Sequence, residues 1–98
     1  MLLHSYAKML PKADRYTIGQ ESLNYTLKII QLIFQACYKS PDKKYLYLEE
    51  ADLKLKILKI MIRLLFDIKS LDLKKYLALQ EALQQVGNML GGWLKSLK

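Results

Sequence analysis

Cysteine, histidine, valine, threonine, glycine and proline are all scarce in this 98-residue chain, and each shortage removes a class of protein. The one cysteine, Cys37, allows no internal disulfide, and its expected place is in the core as a small hydrophobe. The one histidine, His4, would have to serve any Ser-His-Asp or Cys-His centre, and no Glu-x-x-His pair is present for a carboxylate-bridged metal site in a helix bundle. Valine occurs once (Val86) and threonine twice (Thr17, Thr26), while leucine is the commonest residue, a mix that favours helix over sandwich or barrel. Four glycines and two prolines leave little material for long loops, and no glycine-rich phosphate loop follows a strand. No apolar run exceeds four residues, whereas a membrane span needs about 20. The opening MLLHSYAKML lacks the basic start, apolar stretch and cleavage site of a signal peptide, so an intracellular, cytoplasmic protein is expected. The expectation is a protein that is not an enzyme, with no catalytic residues, no metal and no cofactor.

What the chain does have is positive charge and helical periodicity. Sixteen Lys and Arg stand against nine Asp and Glu, a formal net charge of +7, and 52% of the residues are hydrophobic. The length suits a single domain over residues 1–98 with a modest core. Leu2, Leu3, Tyr6, Met9 and Leu10 recur at helical spacing, so residues 1–10 read as a short helix before Pro11. A second helix opens with Thr17 as N-cap and Gln20 completing a capping box, and runs to about Lys39. Ser40-Pro41-Asp42 reads as a turn, because proline disfavours helix at the residue before it. A third helix begins between Asp42 and Glu49 and runs to about Lys69; the acidic group Glu49, Glu50 and Asp52 suits the dipole at its start. Ser70 or Asp72 caps a fourth, from about Leu73 towards Leu97. The expected fold is an all-α, up-down four-helix bundle with a short first helix.

The distribution of apolar residues around these helices is unusual. On the second, Gln20, Glu21, Asn24, Lys28, Gln31, Gln35 and Lys39 share one polar arc, and apolar side chains cover most of the rest. On the third, Asp52, Lys56, Lys59, Arg63 and Asp67 share one narrow strip, and apolar residues from Leu53 to Ile68 fill the remainder. A surface helix needs an apolar stripe only a little over about 100° wide, and these two are apolar over roughly twice that. The surplus is expected to be buried against another copy, in a homo-oligomer; the alternative is a tightly packed monomer with the third helix at its centre. The fourth helix is ordinary, with Tyr76, Leu79, Leu83, Val86, Leu90, Leu94 and Leu97 on one stripe and Lys74, Glu81, Gln84, Gln85 and Asn88 facing away. Gly87, Gly91 and Gly92 each cost about 1 kcal/mol in a helix relative to alanine. They suit a close approach to a neighbour beside Trp93, unless the helix ends at Gly91.

Two stretches carry a resemblance. Pro11-Lys12-Ala13-Asp14-Arg15-Tyr16-Thr17-Ile18-Gly19 is a Pro-Lys-x-x-Arg-aromatic opening to a helix. Val86-Gly87-Asn88-Met89-Leu90-Gly91-Gly92-Trp93-Leu94 is the more specific. With Lys59 and Arg63 four apart, they resemble the four-helix bundle family of ribosomal intervening-sequence proteins, and within it the Avd branch, the accessory variability determinants of diversity-generating retroelements. The resemblance covers nearly the whole chain. It implies an up-down four-helix bundle assembled as a pentamer, a basic surface for RNA or DNA, and a partnership with a reverse transcriptase in mutagenic copying of a template RNA. Two departures are visible: the first helix is shorter than is usual in the family, and Asn88 stands where a basic residue is common.

The basic residues are the candidate nucleic-acid site: Lys56, Lys59 and Arg63 on the strip of the third helix, and Lys12 and Arg15 at the opening of the second. Asp52 and Asp67 lie four residues from Lys56 and Arg63 and partly neutralise them. No aromatic cluster alternates with these charges in the sequence, so backbone contacts rather than base readout are expected. The competing possibility is an oligomeric helical scaffold that touches no nucleic acid. A membrane-surface helix is a weaker match, because the basic strip is too narrow.

Overall fold

The computed structural model describes residues 18–97, and over this span the chain is three α-helices: α1 (Ile18–Cys37), α2 (Pro41–Asp67) and α3 (Leu73–Ser96). These are the second, third and fourth helices expected from the sequence. The expected helix over residues 1–10, the Thr17 cap, and Lys12 and Arg15 lie outside the described residues.

α2 begins earlier than expected, at Pro41 itself. Ser40 is extended (φ −64°, ψ 158°), as a residue before proline prefers, and Pro41 takes the first helical position, where an N–H would have no partner. Ser40 is the N-cap residue but makes no side-chain capping bond; its hydroxyl instead donates to the Asp42 carboxylate at 2.7 Å. That bond, followed by the backbone N–H groups of Asp42 and Lys43, holds the Asp42 carboxyl below its ordinary value. Asp42 therefore takes over the role a capping residue would have. At α3 the choice between Ser70 and Asp72 falls to Asp72, whose side chain accepts from the Lys75 N–H at 2.8 Å.

α2 ends in a tight motif. Lys69 N–H bonds to the Phe66 carbonyl and Ser70 N–H to the Leu65 carbonyl, both at 2.9 Å, with Lys69 at φ 66°. This is the Schellman arrangement, with lysine at the left-handed position that glycine occupies without steric cost. Replacing Lys69 by Gly is expected to stabilise the chain by about 1 kcal/mol. A lower midpoint in urea unfolding would show instead that the Lys69 side chain contributes more than the strain it carries.

α2 carries nearly all of the packing between helices, against α1 on one side and α3 on the other. Leu48, Ala51, Leu55, Leu58, Ile62 and Leu65 are its buried face; Ile29, Leu32 and Ala36 meet it from α1, and Leu79 and Leu90 from α3. The α3 stripe read from the sequence does pack on this core, Tyr76, Leu83, Val86, Leu94 and Leu97 being partly buried against it. Ser22 is fully buried, and its hydroxyl is satisfied by the Ile18 carbonyl at 2.8 Å. α3 continues through Gly91 and Gly92 to Ser96, so the earlier end at Gly91 does not occur. The close approach is made by Gly87 alone: a Cβ there would lie 3.3 Å from Leu55 Cδ2, while none would meet an atom within 4 Å at Gly91 or Gly92. Cys37 is exposed rather than buried, because it is the last residue of α1, where the helix leaves the core.

The third expected helix is thus central, yet its outward side remains bare. Leu46, Leu53, Ile60 and Leu64 are exposed, and with half-buried Ile57 they form a stripe at alternating short helical steps. On the opposite side, α1 and α3 diverge above α2 to leave an apolar cleft of about 290 Å³, lined by residues that include Ile29, Ile33, Leu58, Ile62, Leu83 and Val86. Among the described residues no helix is long and apolar enough to cross a membrane.

Candidate nucleic-acid interface

Lys56, Lys59 and Arg63 lie along one edge of α2, each about one turn from the next. Their neighbours differ. Lys56 is paired with Asp52 at 3.1 Å and Arg63 with Asp67 at 3.0 Å, the two partnerships expected from the spacing. Lys59 instead donates to the neutral Gln84 carboxamide at 3.1 Å. Three cations and two carboxylates leave one net positive charge on this edge, and it sits on Lys59. The pairs with Asp52 and Asp67 are solvated i,i+4 contacts of small energetic weight.

α3 supplies the other bank of the strip. Tyr76, Gln80, Gln84 and Asn88 follow one another at four-residue steps, so they share a face of α3. Gln80 donates its Nε2 to the Lys59 carbonyl at 3.3 Å, and Gln84 donates to Asn88 at 3.0 Å. Gly87 lets α3 come close here, within 3.6 Å of Lys59 Nζ as measured from the position a Cβ would take. Gln84 and Asn88 therefore do not simply face away, as the helical wheel of α3 alone suggests. They flank a basic edge supplied by another helix.

The strip also has an aromatic end. The Phe66 and Tyr76 rings stack with centroids 4.4 Å apart and planes 18° from parallel. The Arg63 guanidinium lies 5.9 Å from each centroid. Tyr76 first, and Asp67 second, favour its charged form and hold it above its ordinary value. No aromatic cluster alternates with these charges along the sequence; packing brings two rings to the end of the strip, from the last turn of α2 and the first turn of α3. The signal in the sequence was the common four-residue step of Lys59–Arg63 and Tyr76–Gln80, but the rotation that brings the two faces together is a property of helix packing. Two further cations cover tyrosines elsewhere, Lys54 over Tyr25 at 5.3 Å and Lys39 over Tyr47 at 5.7 Å.

The family model for bAvd-like proteins matches residues 2–97. The chain belongs to the bAvd-like family. No curated protein and no solved structure matches it. Within this bAvd-like chain, the Lys59–Arg63 edge and the Gly87–Trp93 segment that carried the resemblance lie on adjoining helices, α2 and α3, with Gly87 facing Leu55 and Lys59.

Proposed function

We propose that this bAvd-like chain is a non-catalytic accessory protein of a diversity-generating retroelement, binding nucleic acid and assisting a reverse transcriptase as template RNA is copied mutagenically. The observation that carries this is the family match over residues 2–97. The net charge of +7 supports it, since a basic protein attracts phosphate without needing a sequence-specific site. Lys59, with no carboxylate partner among the described residues, is the centre of the interface. Lys56 and Arg63 flank it, and Lys12 and Arg15 add charge from the opening segment.

The same proposal completes the fold as a four-helix bundle. The short first helix expected over residues 1–10 is part of this proposal. The outward stripe of α2 is then covered by another copy in a homo-oligomer, a pentamer by family resemblance, working in the cytoplasm.

A salt series tests the binding. Changing Lys59 and Arg63 together to Ala is expected to weaken RNA or DNA binding about tenfold or more, and to flatten the log–log salt slope by roughly 0.7 to 0.9 for each phosphate no longer neutralised. Oligomer size should not change, because neither side chain belongs to the outward apolar stripe of α2. The two carboxylates on the strip and the bare apolar stripe of α2 favour the second reading, a scaffold without nucleic-acid contact. Equal affinity of the double variant and the parent at every salt concentration, with the oligomer intact, decides for that scaffold.

A further inference from the structure

We propose that the strip between α2 and α3 takes single-stranded rather than duplex nucleic acid, with an unpaired base stacked at the Arg63–Phe66–Tyr76 cluster. The proposal rests on the nucleic-acid reading above and names the form of the ligand. Electrostatics alone give this strip little grip, because Asp52 and Asp67 cancel two of its three cations. A duplex, which offers mainly phosphates to such a surface, gains little from one net charge. A single strand offers base faces as well, and stacking on aromatic and guanidinium planes does not depend on the net charge beneath.

The cluster is arranged for that contact. Arg63 has a side chain 61% exposed, yet its Nε is held by Asp67 at 3.0 Å and its guanidinium lies beside both rings. The planar group is therefore oriented in advance while remaining open to solvent, which lowers the entropy lost on binding. Phe66 and Tyr76 are already stacked on each other, so the surface a base meets is fixed by two helices rather than by one mobile ring. One turn away stands Lys59 for a phosphate, and beyond it Gln84 and Asn88, whose carboxamides carry both donor and acceptor. Aromatic, cation and carboxamide thus follow in line along the strip. Because every base has a π face, this arrangement favours unpaired strands without strong sequence preference.

Fluorescence anisotropy with the full chain tests this, using labelled oligouridylate, oligoadenylate of the same length, and the duplex made from the two. Both single strands are expected to bind about tenfold tighter than the duplex, the factor typical of one stacked base. Phe66→Leu and Tyr76→Leu should lose that factor for single strands and keep the duplex affinity and the salt slope. Tyr76→Phe keeps the ring and removes only the hydroxyl that partners Arg63, which Asp67 still holds; it should retain most of the single-strand affinity. Arg63→Lys preserves the charge at a solvent-facing position and removes the plane; it should reduce single-strand binding without changing the slope, and it decides the matter should a ring variant lose its helical circular dichroism. Duplex bound as tightly as single strands, or single-strand affinity unchanged in Arg63→Lys, overturns the proposal while leaving phosphate binding in place. Failure of the parent chain to bind any of the three overturns the nucleic-acid reading itself.

Discussion

Ile62→Ala is expected to lower the unfolding free energy by about 2–5 kcal/mol, and Ile62→Asp to abolish cooperative unfolding altogether. Ile62 is 0% exposed, on the buried face of α2, and it also borders the apolar cleft between α1 and α3. Truncation there enlarges a space that is already poorly filled, so collapse of the neighbours does not restore the packing that the side chain provided. Set against a total stability of about 5–15 kcal/mol for an ordinary domain, the alanine variant should survive and the aspartate variant should not. An unpaired carboxylate in that position has no donor to meet it, and burying one costs several kcal/mol. Urea unfolding followed by circular dichroism measures both. A loss below about 1 kcal/mol for the alanine variant would mean that Ile62 is not the centre of the core.

The same substitution two residues earlier should do something different. Ile60 is 61% exposed and Leu53 58% exposed, on the outward stripe of α2. Leu53→Asp with Ile60→Asp is expected to leave the unfolding transition of the single chain nearly unchanged, because both carboxylates remain in water. It should dissolve the proposed homo-oligomer. Each large apolar side chain buried at an interface contributes roughly 1.5–3 kcal/mol, and each is replaced here by a charge that resists burial. Light scattering should therefore give a multiple of 11.5 kDa for the parent chain and the single-chain mass for the variant. A parent chain that is already monomeric at micromolar concentration would remove self-association from the proposal. Unchanged mass in the variant of an oligomeric parent would move the contact to another face.

Much of this was legible in the sequence. The polar arc of α1 from Gln20 to Gln35 is largely solvent-facing as its spacing implies, the apolar stripe of α3 meets the core, and the four-residue spacing of Asp52–Lys56 and Arg63–Asp67 foretells their ion pairs. These features depend on neighbours within one helix. What could not be read depends on neighbours across helices or at helix ends. The start of α2 at Pro41 turns on the Asp42 carboxylate accepting from Ser40, a contact outside any helical wheel. Cys37 has the composition of a core residue and the position of a terminal one, and position prevails. The aromatic and carboxamide half of the candidate interface depends on how α3 is rotated about α2. The hydrogen bonds of Gln80 and Gln84 with Lys59, the Phe66–Tyr76 stack and the packing of Gly87 against Leu55 reveal that rotation.

The arrangement in which α1 and α3 both rest on α2 has a consequence for how quickly the chain reaches its fold. Among the described residues every large interface joins helices adjacent in sequence, across connections of three residues (38–40) and five residues (68–72). Little loop-closure entropy precedes the first stabilising contact, and topologies of this kind fold in microseconds to milliseconds. Helix α2 belongs to both pairings, so it is the natural nucleus whichever hairpin forms first. Core substitutions along α2 should then slow folding, whereas those on α3 beyond Gly87 should act mainly by speeding unfolding.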